Sequence, residues 1–109
     1  MSPRSYISSS AAVILQAIDN GYKYGFDIMD ISGLPSGTVY PALRRLEEML
    51  MVKSKWEKAA IAQQDQRPPR KYYEITARGQ EVLAEAVKRY RFLERALPLA
   101  DLKPKPSRA

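Results

Sequence analysis

The chain has no cysteine and no histidine among its 109 residues. Without cysteine there can be no disulfide, thiolate metal site or thiol nucleophile. Without histidine the usual general base and the commonest metal ligand are both missing. No convergent nucleophile–base pair replaces them, so catalysis is the weakest reading, and neither a cofactor nor a metal is expected. No apolar run approaches the ~20 residues that a membrane span needs. The N-terminus lacks the basic-then-apolar layout of a signal peptide, and a cytoplasmic location is expected. Glycine is scarce, with five in all and none from residue 38 to residue 78. A tight Asn-Gly hairpin turn is therefore missing from that stretch.

What the chain does have is basic charge, unevenly placed. Its formal net charge is +6. Residues 1–43 carry a net −1, residues 44–78 a net +4 and residues 79–109 a net +3. A basic half of this kind suits a polyanion, nucleic acid before membrane, although a merely solvated basic surface has the same composition. At this length one domain is expected.

The apolar pattern predicts three short helices. Residues 1–7 read as a loose arm, and Ser8, Ser9 and Ser10 offer caps to a helix beginning near Ala11. Ala11, Ile14, Leu15 and Ile18 recur at helical spacing, and Asn20-Gly21 stops the run. A second helix fits Tyr24 to about Ile31, with Phe26, Ile28, Met29 and Ile31 as its apolar residues and Ser32-Gly33 as its end. A third opens at Ser36, Gly37 and Thr38. Pro41 lacks an N–H and is comfortable only in a first turn, which sets the cap near Gly37 or Thr38. Val39, Leu43, Leu46 and Leu50 form its apolar stripe, flanked by Ala42 and Met49. Tyr40, Arg44, Glu47 and Glu48 lie away from that stripe, with Arg45 nearer its edge. Three helices with a glycine-bearing turn before the third follow helix-turn-helix logic.

From Val52 the period changes to alternation. Val52, Ser54 and Trp56 fall on one side of a strand, with Lys53, Lys55 and Glu57 on the other. Arg70 to Ile75 alternates again, with Lys71, Tyr73 and Ile75 opposite Tyr72 and Glu74. Residues 58–69 join the two strands, and Ala59 to Gln64 can make a helical turn there. Thr76 is the expected cap of a last helix. Gly79 sits in that helix's first turn, where a small residue permits close backbone approach. Thr76 to Leu97 would be roughly 33 Å long at 1.5 Å per residue. Its apolar residues mark more than one face, and a second copy of the chain is the plain way to cover them. Packing back on its own domain is the alternative. Residues 98–109 read as a solvated basic tail.

The fold class expected is therefore mainly α with a small β-hairpin: a winged helix-turn-helix over residues 1–75 and a dimerisation helix over residues 76–97. Three motifs narrow this further. They are Tyr24-Gly25-Phe26-Asp27-Ile28, the run Ser36-Gly37-Thr38-Val39-Tyr40-Pro41-Ala42-Leu43-Arg44-Arg45-Leu46-Glu47-Glu48, and Arg70-Lys71-Tyr72-Tyr73-Glu74-Ile75-Thr76-Ala77-Arg78-Gly79. In this order and spacing the chain resembles the PadR family of bacterial transcriptional regulators over roughly residues 11–97, in the form of its compact members.

That resemblance implies a homodimer on an approximately palindromic double-stranded DNA operator. It implies a repressor in most cases, released by a small-molecule effector in many. Two departures stand out. The family usually has glycine after the Leu-Glu-Glu stretch, where this chain has Met49-Leu50-Met51. The wing loop lacks glycine and contains Ala59, Ala60, Ile61 and Ala62.

Each candidate DNA residue has a plainer reading beside it. Ser36 and Thr38 stand where hydroxyls and free N–H groups can hold phosphate, or they simply cap. Tyr40, which the family places at the DNA surface, either touches DNA or packs. Arg44 and Arg45 can reach guanine or phosphate, or pair with Glu47 or Glu48; Arg44 is the more outward. Lys58, Arg67, Arg70 and Lys71 are the wing candidates for a minor groove, against a solvated loop. Leu83, Val87, Tyr90, Leu93 and Leu97 are the dimer candidates. Tyr72, Tyr73 and Trp56 tempt a ligand-cage reading, but aromatics on short strands are more often packing. The rival to DNA binding is a winged-helix module for protein contacts.

Overall fold

The computed structural model describes residues 7–91 and Leu93. In chain order the elements are α1 (Ser9–Asp19), α2 (Gly25–Ser32), α3 (Ser36–Glu48), β1 (Val52–Trp56), α4 (Ala59–Gln64), β2 (Lys71–Ile75) and α5 (Ala77–Arg89). This is the expected winged helix-turn-helix order.

Helix α1 is the hub. Ser8 caps it, its Oγ accepting the Ala11 N–H at 3.1 Å. Ala11, Ala12, Ile14, Leu15, Ala17 and Ile18 are all buried. The helix packs against α2, α3, α5 and β2. Burial on so many sides explains why its sequence is apolar on more than one face. Helix α2 starts one residue later than its pattern suggested and ends at Gly33, whose φ of 74° is the left-handed conformation glycine tolerates best. Phe26, expected among its apolar contacts, lies outside the core and is exposed.

Helix α3 corrects two expectations. Its cap is Pro35, not Gly37 or Thr38, and no side chain caps it. The Pro35 carbonyl accepts from both Thr38 and Val39 N–H groups. Pro41 consequently lies inside the helix. It cannot donate to the Gly37 carbonyl one turn back, which the helix tolerates so close to its start. Val39, Leu43 and Leu46 form the buried stripe as expected, but Leu50 does not join it. The helix ends before Leu50 is reached. Met51 N–H bonds to the Leu46 carbonyl and Leu50 N–H to the Glu47 carbonyl, a Schellman closure. The residue in the left-handed position is Leu50, with φ of 62°, where glycine is usual. Its side chain is 69% exposed, while Met51 turns inward beside Leu46.

The hairpin is antiparallel and in the expected phase. Val52 pairs with Ile75, Ser54 with Tyr73 and Trp56 with Lys71 on one face. Lys53 opposite Glu74 and Lys55 opposite Tyr72 make the other. The segment before α2 joins its edge, through a Tyr24–Tyr72 bridge and a Tyr73 N–H bond to the Lys23 carbonyl. Helix α4 fills the loop between the strands, as the Ala59–Gln64 stretch allowed.

Thr76 caps α5, its Oγ1 accepting the Gly79 N–H at 3.0 Å. The same hydroxyl donates to the Leu50 carbonyl at 2.7 Å, and Thr76 N–H bonds to the Met51 carbonyl. Gly79 lies so close that a Cβ there would come within 2.1 Å of the Met51 carbonyl oxygen. Helix α5 stops at Arg89, short of the continuous helix expected to Leu97. The backbone leaves helical geometry at Tyr90, whose hydroxyl donates to the Ile7 carbonyl at 2.8 Å. Leu93 is buried, and its carbonyl accepts from Gln16 Nε2. Leu83 is buried as well, while Val87 and Tyr90 are half-buried against the same core. Leu97 and residues 98–109 lie outside the described residues.

Two substitutions test this frame. Gly79→Ala drives a methyl into backbone that cannot yield, and should destabilise the fold by about 2–3 kcal/mol in urea unfolding. Leu50→Gly should stabilise it by about 0.5–1 kcal/mol, because relief of left-handed strain exceeds the added freedom of the unfolded chain.

Candidate nucleic-acid interface

The outward side of α3 is assembled from Ser36, Gly37, Tyr40, Pro41, Arg44 and Arg45, all exposed, with Thr38 half-buried. Because Pro35 is the cap, Ser36 and Gly37 occupy the first two helical positions, whose N–H groups have no acceptor within the helix. Those two N–H groups are open at the helix start, where the dipole favours an anion, and Ser36 is exposed there. Thr38 is differently placed, since its N–H is already held by the Pro35 carbonyl.

Arg44 and Arg45 diverge by about 100° around the helix. Arg44 follows Tyr40 by one turn and lies near the Tyr73 hydroxyl. Burial pushes that hydroxyl up, Glu47 adds to the rise and the Arg44 charge partly offsets it. Arg45 borders a separate cleft, lined also by Ile7 and Met49. Among the described residues no ion pair joins either arginine to Glu47 or Glu48. Glu47 is occupied elsewhere, accepting from Ser54 Oγ at 2.6 Å and standing 3.9 Å from Lys71 Nζ.

Tyr40 leans over the start of α2. A Cβ on Gly25 would fall within 2.6 Å of the Tyr40 ring, so glycine there is what admits the ring. Together with Trp56, Arg70 and Lys71, these residues line an open cleft between α2, α3 and the hairpin.

Of the four expected wing cations only Lys58 is fully exposed, while Arg67, Arg70 and Lys71 are held by neighbouring side chains. The exposed residues of α4 are Ala59, Ala60, Ile61, Gln63 and Gln64, with Lys58 just before them. Arg67 folds inward. Its Nη1 and Nη2 both donate to the Glu57 carboxylate, and Nη2 also reaches Asp65 Oδ2 at 3.1 Å. Arg70 lies over the Tyr24 ring at 4.4 Å, with Nη2 3.8 Å from Glu57 Oε2. Glu57 also accepts the Arg70 backbone N–H and the Tyr24 hydroxyl. Lys71 is held between Glu47 and the rings of Trp56 and Tyr73, at 5.9 Å from each centroid.

Glu57 is the one buried charged side chain among the described residues, at 8% exposure. The Arg67 guanidinium, helped by the Arg70 N–H and against the cost of burial, holds its carboxyl down at about 2, from an ordinary 4.5. The Tyr24 hydroxyl is pushed up by burial and by its bond to Glu57. Sequence spacing put Glu57 in phase with exposed Lys53 and Lys55, and so missed it. Its partners stand ten and thirteen residues on, across a loop whose path the sequence does not reveal. The exposure of Phe26 and Trp56 was missed for a similar reason, because their apolar character suggested packing.

The family profile of the PadR-like transcriptional regulators matches residues 14–85, which spans α1 through most of α5. The chain belongs to that family. A PadR family transcription regulator from Clostridium difficile is similar in structure, with TM-score 0.66 at 24% identity, over 85% of this chain and 98% of its own. A PadR-like transcription factor from Bacteroides fragilis gives TM-score 0.63 at 25% identity, over 83% and 87%. A transcriptional regulator from Clostridium thermocellum gives 0.61 at 22%, over 85% and 92%. No curated protein matches the chain. Membership of this family makes the chain a DNA-binding transcriptional regulator. No helix among the described residues of this PadR-like regulator is long and apolar enough to cross a membrane.

The Glu57 cluster has a definite pH signature. Above pH 4.5 the carboxyl is ionised in both folded and unfolded chains, and its full stabilisation is present. As pH falls toward about 2 the unfolded chain takes up the proton first, so that stabilisation is lost. Glu57→Gln removes this share. Thermal melts across that range should show the wild-type advantage over Glu57→Gln shrinking with acid; a constant gap would contradict it.

Proposed function

We propose that this PadR-like regulator is a dimer that binds one inverted-repeat operator in duplex DNA and acts as a repressor. In this reading α3 enters the major groove. Arg44 reads base edges, Arg45 and Tyr40 contact the duplex beside it, and Ser36 and Thr38 hold backbone phosphate at the helix start. Lys58, Arg70 and Lys71 face the phosphates along the hairpin. Arg67 joins that surface by way of the wing that it holds against Glu57.

The observation that carries the reading is the state of the two arginines on α3. Both are exposed and neither has an ion-pair partner among the described residues, although Glu47 and Glu48 follow on the same helix. Two such arginines on the outer side of a helix whose start also has open N–H groups suit a polyanion.

The second copy would meet the first along α5 and the segment that follows it, through the expected dimer residues Val87, Tyr90 and Leu97, backed by Leu83 and Leu93 in each protomer's own core. A C2 arrangement gives the two recognition helices the symmetry of a palindrome. Release by a small-molecule effector in the cleft between the paired helices, and a cytoplasmic location, complete the reading.

The test is retardation of the promoter beside the regulator's own gene, with random duplex as competitor. The wild type should bind the promoter selectively, with affinity falling steeply as salt rises. Arg44→Ala should cost about 1–3 kcal/mol of binding and relax selectivity at one symmetric position in each half-site. Equal competition by random DNA would overturn the assignment.

A further inference from the structure

Three large aromatic side chains are left open to water around a single cleft. Phe26 at the start of α2 is 66% exposed, Trp56 at the end of β1 is 65% exposed, and Tyr40 on α3 is 44% exposed. Scattered surface aromatics need no explanation, but three at the mouth of one cleft form a patch. The same cleft is lined by Arg70 and Lys71. Lys71 is the register partner of Trp56 and holds its ammonium 5.9 Å from the indole centroid. Trp56 also borders a second cleft, on the side of Lys58 and Ile61. The indole therefore stands as a ridge between the recognition helix and the wing.

An occupant of this place must offer apolar surface and negative charge together. Duplex DNA does so, with sugar and base edges lying between phosphates. The cations beside the ridge match the phosphates, and the ridge continues the exposed face of α3 that carries Tyr40 and Arg44. We propose that Trp56 is a DNA contact of this regulator, its indole lying on the sugar and base edges of the duplex that α3 engages. The contact supplies a share of binding that salt does not screen, beside the phosphate contacts that salt does screen. The inference rests on the DNA-binding reading above.

The chain contains one tryptophan, so indole emission reports on this position alone. The experiment uses full-length protein and the promoter duplex that it retards. The expected results are that saturating duplex shields the indole from acrylamide, and that Trp56→Ala weakens binding roughly tenfold. The salt slope of Trp56→Ala should stay that of the wild type, whereas loss of a phosphate-binding lysine lowers it by about one. Trp56→Phe should recover most of the affinity, and both variants should melt like the wild type, which separates lost contact from lost folding.

An indole equally open to acrylamide with and without duplex would overturn the inference, as would a Trp56→Ala protein that binds like the wild type. Shielding by a small aromatic compound or by a protein, with none by duplex, would overturn it too and reassign the cleft. Wild-type protein that retards no duplex would sink the DNA-binding reading itself, so the two failures are distinguishable.

Discussion

The carbonyl groups of Leu50 and Met51 hold the architecture together. Thr76 binds both, with its hydroxyl on one and its N–H on the other. The start of α5 then presses Gly79 against the Met51 carbonyl. At this one place the recognition helix ends, the first wing strand begins, the second wing strand ends and the last helix starts. The angle between α3 and the hairpin, and the position of α5 relative to both, are set by a few hydrogen bonds and one missing methyl group. Everything that a groove-binding reading asks of the molecule depends on that geometry being stiff.

Much of this was legible in the sequence. Helical spacing revealed the inward sides of α1 and α3, because Ile14, Leu15, Val39, Leu43 and Leu46 meet only if the chain is helical there. Alternation revealed the hairpin's two faces, and Thr76 announced the last cap. Failures came where a residue's fate depended on something distant. Leu50 looked like the next member of an apolar stripe, but the helix closes two residues earlier and leaves it in solvent. The last helix looked continuous to Leu97, but the Tyr90 hydroxyl meets a carbonyl 83 residues away at Ile7. Pro41 looked like a marker of the first turn, yet Pro35 satisfied the helix start before it.

The candidate interface was legible as a set of residue types, less so as an arrangement. Composition identified the arginines and lysines of the basic half without saying which were already engaged. Glu57 makes that division. It draws Arg67 inward, fixes the Arg70 backbone and steadies Tyr24, all at the loop end of the two strands. The tip is an alanine-rich helical turn with amide side chains. Of the expected wing cations, Lys58 just before that turn is the one left fully exposed.

The bonds that join the two ends of the described chain to each other and to α1 have another consequence. Tyr90 holds Ile7 just before α1, and Gln16 within α1 holds the Leu93 carbonyl. Ile7 and Leu93 are thus both tied to the core around the central helix, and neither can come away without loosening the packing beside it. Release of Ile7 or Leu93 and opening of α1 become one cooperative event.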